Sequence, residues 1–220
     1  MTRDDFHQKL DRTTEQLLSM GDIVENLFNE VINILQNKSV NKDRVKELIQ
    51  KEAKLDDIEI KIENSCQEIL ALQQPMGIDL RMILAALKIS SDLERIGDHL
   101  RKIIRKVRKV VKYKEFEHFT ELIEMAILLR QMVMQVMVAF KEQNMRLALD
   151  TLELDEKIDD IQRNLFQKYI KKIKTQPEEE IISSEIHLLF ITRFLERIGD
   201  HVENIGERII FLVTGKLASQ

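Results

Sequence analysis

Tryptophan is absent, cysteine occurs once, proline twice and glycine six times in 220 residues. The lone cysteine, Cys66, excludes an intramolecular disulfide and suits a reducing compartment. So few chain breakers argue against a turn-rich fold and for long helices. An excess of basic charge is lacking too. The net charge of −4 gives no overall pull toward nucleic acid or anionic lipid. The polar start MTRDDFHQKL carries no signal peptide. The most apolar stretch, AILLRQMVMQVMVAF at 126–140, is interrupted by Arg130, Gln131 and Gln135, and is too short and too polar to span a bilayer. With 44% hydrophobic and 33% charged residues, the chain reads as globular, soluble and cytoplasmic.

What is present is a duplication. AKLDDIE (53–59) aligns with EKIDDIQ (156–162) at an offset of 103, and QP (74–75) with QP (176–177) at 102. ERIGDH occurs at 94–99 and again at 196–201. Asn41 and Asn144 correspond at an offset of 103, and each suits the N-cap of the helix that follows. Ile89, Leu93, Ile96, Leu100, Ile103, Val107 and Val110 alternate steps of four and three. Ile191, Leu195, Ile198, Val202, Ile205, Ile209 and Leu212 repeat that pattern, the mark of a helix seam packed on other helices. The pattern predicts helices over 3–37, 41–73, 77–113, 117–143, 145–174 and 178–214. The fold class expected is all-α, two tandem three-helix bundles related by duplication, spanning 1–114 and 115–220.

The ERIGDH helix places Glu94 and Asp98 four residues apart on one face, beside the seam, with Gly97 between them. The like charges weaken an isolated helix, and the glycine costs up to about 1 kcal/mol against alanine. Glu196, Gly199 and Asp200 repeat both costs. The preceding helix supplies Glu52 and Asp56, and in the second copy Asp155 and Asp159. Folding each hairpin at its proline brings Asp56 level with Glu94 and Glu52 level with Asp98, with nearly the same register in the second copy. Four carboxylates at close range cannot all stay ionised without protons or counter-charge. A multivalent cation such as Fe, Mn, Mg or Ca would resolve the repulsion, the glycines leaving room for ions or for close helix approach. Protonation, pairing with Lys or Arg, or a solvated acidic face are the alternatives.

The doubled E-R-I-G-D motif, the paired E/D-x-x-x-D segments and QPMGIDLR (74–81) closely resemble the PhoU family, over the whole chain. The resemblance implies a phosphate-uptake regulator with multinuclear iron or zinc clusters on the bundle surface. Its ligands would be Glu52, Asp56, Glu94, Asp98, Asp155, Asp159, Glu196 and Asp200. It implies a non-enzymatic adaptor, commonly homodimeric, between a phosphate ABC transporter and its sensor histidine kinase. Such an adaptor represses the phosphate-starvation response and restrains uptake. The DLR of 79–81 has no counterpart in the second copy, so the halves are not equivalent.

RKIIRKVRKVVKYK (101–114) carries eight basic residues in fourteen on an amphipathic pattern. It suits an acidic partner surface or peripheral contact with an anionic membrane, or else a solvated face near a helix C-terminus. With one aromatic, Tyr113, it offers no stacking platform for nucleic acid. His99 and His201 follow the motif aspartates and are expected on the exposed side, the other readings being support of a metal's ligands or service as extra ligands themselves. Cys66 and the methionines of 125–145 are expected in the core. No nucleophile–base pair or Gly-rich phosphate loop is present. Two rival readings are a carboxylate-bridged metal enzyme of the ferritin-like kind and a metal-free scaffold. The first is disfavoured because neither Glu94 nor Glu196 has a histidine three residues later.

Overall fold

The apolar seam shared by the two copies is the spine of the core. Ile89, Leu93, Ile96, Leu100, Ile103, Val107 and Val110 line α3 (Ile78–Val110), and their counterparts line α7 (Glu179–Thr214). All are buried. Removing such side chains from water is worth about 1.5–3 kcal/mol apiece. The computed structural model describes residues 3–39, 42–110 and 119–216, and among them every regular element is an α-helix. The first copy adds α1 (Arg3–Asn37) and α2 (Lys42–Gln73). The second adds α4 (Phe119–Glu142), α5 (Met145–Leu152) and α6 (Asp155–Thr175).

The pairing of α3 with α7 is the most extensive in the molecule, and α1 packs on α4 beside it. Helix α2 flanks α1 and α3, while α5 and α6 flank α4 and α7. The two three-helix bundles therefore share one continuous core. Cys66, Met125, Met132 and Met137 belong to that core, as expected, whereas Met134 is half-buried and Met145 is exposed, against the expectation for 125–145. Among the described residues, α4 is the one helix long and apolar enough to cross a membrane, so the length argument applied to 126–140 does not hold for the whole helix. Half of its most apolar window is nonetheless buried within the protein. The expected cap Asn41 and the boundary at 114/115 lie outside the described residues, as do the helix ends expected at 111–113 and 117–118.

Asn144 caps α5 as expected, its side chain accepting from the Leu147 N–H at 3.1 Å. The helix expected over 145–174 is instead two helices. Neither Gly nor Pro breaks it. The chain tightens at Glu153 and Leu154, where the Leu154 N–H donates to the Thr151 carbonyl at 3.1 Å. The Thr151 hydroxyl also donates back to the Leu147 carbonyl at 2.7 Å, a bond that bends helices. Gly206 on α7 accommodates the joint, since a Cβ there would lie 2.7 Å from Leu152 Cδ2. The first copy has Ile104 at the position equivalent to Gly206, and its α2 runs unbroken.

Candidate metal centre

Helices α3 and α7 run antiparallel. Arg81 Nε donates to the Leu212 carbonyl at 2.9 Å, and His201 Nδ1 lies 2.9 Å from Asp92 Oδ1. Toward the other end, Lys106 Nζ sits 4.3 Å from the Phe190 ring centroid. This register sets the two ERIGDH segments against one another midway along the interface. His99 and His201 consequently meet there, ring centroids 5.6 Å apart, and His99 stacks on Phe194. Both are half-buried at the seam between bundles, which corrects the exposed position expected for them. Burial, with Lys102 and His201 nearby, drops the His99 pKa to about 4, so its ring is neutral at pH 7.

In the first copy, Glu52, Asp56 and Glu94 converge, each offering a carboxylate oxygen within 4.8 Å of the others. Glu52 is 3% exposed, whereas Asp56 opens to solvent. Burial, reinforced by the neighbouring carboxylates, raises the Glu52 and Glu94 pKa values despite Arg101 and Arg95. Asp98 is at the right height but turns to Arg101 and Lys102. Burial opposes its ionisation, yet hydrogen bonds from those two cations outweigh it and hold its pKa below the usual range. Arg101 also approaches Glu52, Nε to Oε1 3.2 Å. The first set thus has three convergent carboxylates and a resident counter-cation.

In the second copy, Asp155, Asp159, Glu196 and Asp200 share one acidic face without reaching that convergence. Asp155 feels burial first, then Asp159, Glu203, Asp200 and Glu196, and its pKa rises to about 6. Glu196 takes Arg193 on one oxygen, and its buried Oε2 has no hydrogen-bond partner among the described residues. Asp200 pairs with Arg197, 3.2 Å away. Glu203, absent from the expected set, joins this face, where burial and nearby acids raise its pKa. Glu59 does likewise in the first copy, between Asp56 and Glu63. Arg101 and Glu203 are duplicated positions of opposite charge, a contrast already legible at the offset of 102.

The motif glycines serve close approach. A Cβ on Gly97 would fall 2.2 Å from Leu55 Cδ1, and one on Gly199 would fall 2.9 Å from Asp155 Oδ1. Gly97 therefore admits a core leucine, and Gly199 admits a carboxylate. The donor set is all oxygen, partly buried and electrostatically frustrated, which fits a hard or borderline divalent metal. Glu52, Asp56 and Glu94 fit such an ion as they stand. Asp98 would have to release its two cations first.

These features define a class: a duplicated helical protein whose paired acidic faces flank an antiparallel helix seam. The PhoU domain profile matches residues 17–107 and again 122–209. The chain belongs to the PhoU family. It is 30% identical over 217 residues to the phosphate-specific transport system accessory protein PhoU homolog of Clostridium acetobutylicum, covering 98% of this chain and 97% of that one. It is 30% identical to the Pseudomonas aeruginosa homolog of the same name, covering 96% of this chain and 86% of the relative. The crystal structure of PhoU from Pseudomonas aeruginosa superposes with a TM-score of 0.89 at 29% identity, covering 96% of this chain and all of that one. That of the phosphate transport system regulatory protein PhoU from Streptococcus pneumoniae gives 0.87 at 30% identity, over 97% and 99%.

Proposed function

We propose that this protein is the accessory regulator of a phosphate-specific transport system. In this reading it signals phosphate sufficiency, represses the starvation response and restrains uptake by coupling the phosphate ABC transporter to its sensor histidine kinase. The observation that carries it is kinship over almost the whole chain with proteins named as accessory proteins of a phosphate-specific transport system. Relatives named accessory or regulatory support a binding role rather than an enzymatic one.

Metal belongs to the same proposal. Glu52, Asp56 and Glu94 would hold an ion in the first copy, with Asp98 joining once freed. Asp155, Asp159, Glu196 and Asp200 would serve in the second. The clusters are proposed as iron or zinc and multinuclear, and the assembly as a homodimer. The metal would supply positive charge that closes each acidic face.

Deleting the gene and then restoring it, while assaying alkaline phosphatase in phosphate-rich medium, tests the regulatory role. High activity on deletion that is lost on restoration is expected. Unchanged activity, with no second copy of the gene, overturns it. Metal content of the purified protein tests the site separately. Wild type should carry at least one transition metal per chain, and Asp56→Ala with Asp159→Ala should lose it.

A further inference from the structure

The C-terminal half of α3 puts Arg105, Arg108 and Lys109 on the surface, with Lys106 half-buried beside them. These four have no carboxylate partner among the described residues. Lys102, one turn earlier, is committed to Asp98. At 100° per residue, positions 105 to 109 spread over an arc of about 160°. Cations so splayed do not converge on one carboxylate or phosphate. They suit an extended negative surface.

The adjoining part of α7 supplies apolar groups. Ile186 and Phe190, one turn apart, are each 42% exposed. Lys106 Nζ rests 4.3 Å from the Phe190 ring centroid, and Phe190 stacks toward Phe194 at 6.5 Å. From 186 to 194 this helix bears no acidic residue. The whole chain is net negative, at −4, so this basic face is a local concentration of charge rather than an average property.

We propose that the Arg105–Lys109 segment of α3 and the Ile186–Phe190 ridge of α7 form a docking surface for an anionic lipid leaflet. The cations meet the headgroups, and Phe190 and Ile186 enter the boundary between headgroup and acyl chain. Charge complementarity calls for an anionic surface, and cations spread over a broad arc beside an exposed apolar ridge match the charged-then-apolar layering of a membrane boundary. The surface uses none of the proposed metal ligands, so it stands or falls apart from the metal reading.

Co-sedimentation of the full chain with vesicles tests it, in chelator-containing buffer so that bridging metal plays no part. Vesicles of phosphatidylcholine plus phosphatidylglycerol should retain the protein at low salt and release it at high salt. Phosphatidylcholine alone should not retain it. One surface cation near an anionic leaflet is worth roughly fivefold in affinity, so Arg105→Gln with Arg108→Gln should weaken retention roughly 25-fold. Phe190→Ser should weaken it several-fold while leaving the salt dependence intact. Both changes lie at exposed positions, and circular dichroism checks that they fold. Failure of the anionic vesicles to retain wild type overturns the proposal, as does equal retention by neutral vesicles. So does undiminished binding of the double variant. Capture by an acidic helical peptide with no capture by vesicles also overturns it, in favour of a protein partner.

Discussion

Arg101 and Glu203 occupy equivalent positions of the two copies and carry opposite charge. Arg101 Nε lies 3.2 Å from Glu52 Oε1, and the same guanidinium reaches Asp98. Glu203 instead adds a carboxylate to the face of Asp200 and Asp159. At this position one acidic set gains a cation and the other gains a further carboxylate.

Replacing Arg101 should therefore separate stability from metal affinity. In Arg101→Gln, Glu52 stays buried without its cation, and the metal-free protein should lose about 1–3 kcal/mol. Manganese, no longer competing with a guanidinium, should bind the first set more tightly and restore the loss. Thermal melts with and without manganese, beside calorimetric titration, read both effects. Identical metal affinity in wild type and variant would show that Arg101 is no competitor.

The two motif glycines should respond differently to alanine. At Gly97 the methyl group collides with fully buried Leu55, so overpacking of about 1–3 kcal/mol opposes a helix-propensity gain of up to about 1 kcal/mol. A net loss of about 1 kcal/mol is expected by chemical denaturation. At Gly199 the methyl group meets the Asp155 carboxylate instead of core carbon. That variant should keep wild-type stability or gain slightly, yet lose metal bound by the second set.

Arg81 answers why the DLR segment has no second copy. Its Nε caps the Leu212 carbonyl near the C-terminal end of α7, and its guanidinium packs against Gly215, which closes that helix with φ +73°. The first copy therefore braces the end of the second. Arg81→Ala should cost about 1 kcal/mol and speed amide exchange at the end of α7 more than elsewhere.

The seam and the duplication were legible because periodicity survives in a sequence as spacing. Every residue of the Ile89–Val110 and Ile191–Leu212 series is buried as its spacing implies. Hairpin counting also put Asp56 level with Glu94, with Glu52 one turn away on the same face, because rise per residue is constant, and these three are the carboxylates that converge. The break between α5 and α6 was hidden, since it depends on Thr151 bonding backward and on Leu152 fitting Gly206, with no Gly or Pro to mark it. The facing histidines were hidden for another reason. Their exposure depends on how α3 crosses α7, and helical spacing within one chain segment does not encode a crossing between two. Side-chain choice was equally out of reach: Asp98 sits where counting put it, but prefers Arg101 and Lys102 to its fellow acids.

Asp155 gives the protein a pH dependence of calculable sign. Its pKa rises from 3.8 to about 6, chiefly through burial and then through Asp159 and Glu203. Between about pH 4 and pH 6 the folded protein keeps a proton that the unfolded chain has released, so this group's contribution to stability falls as pH rises through that window. Above about pH 6 the carboxylate is ionised in both states and the cost is fully present. Without metal, the melting temperature of wild type should therefore decline across the window more steeply than that of Asp155→Asn, and the variant should melt higher at neutral pH. A divalent cation reverses the trend, because it binds the carboxylate and competes with the proton. The stabilisation by added manganese should then grow from acidic to neutral pH in wild type, and be smaller and grow less in the variant. Parallel melting curves for the two proteins at every pH, with manganese or without, would mean that Asp155 neither carries the proton nor contributes to the metal site.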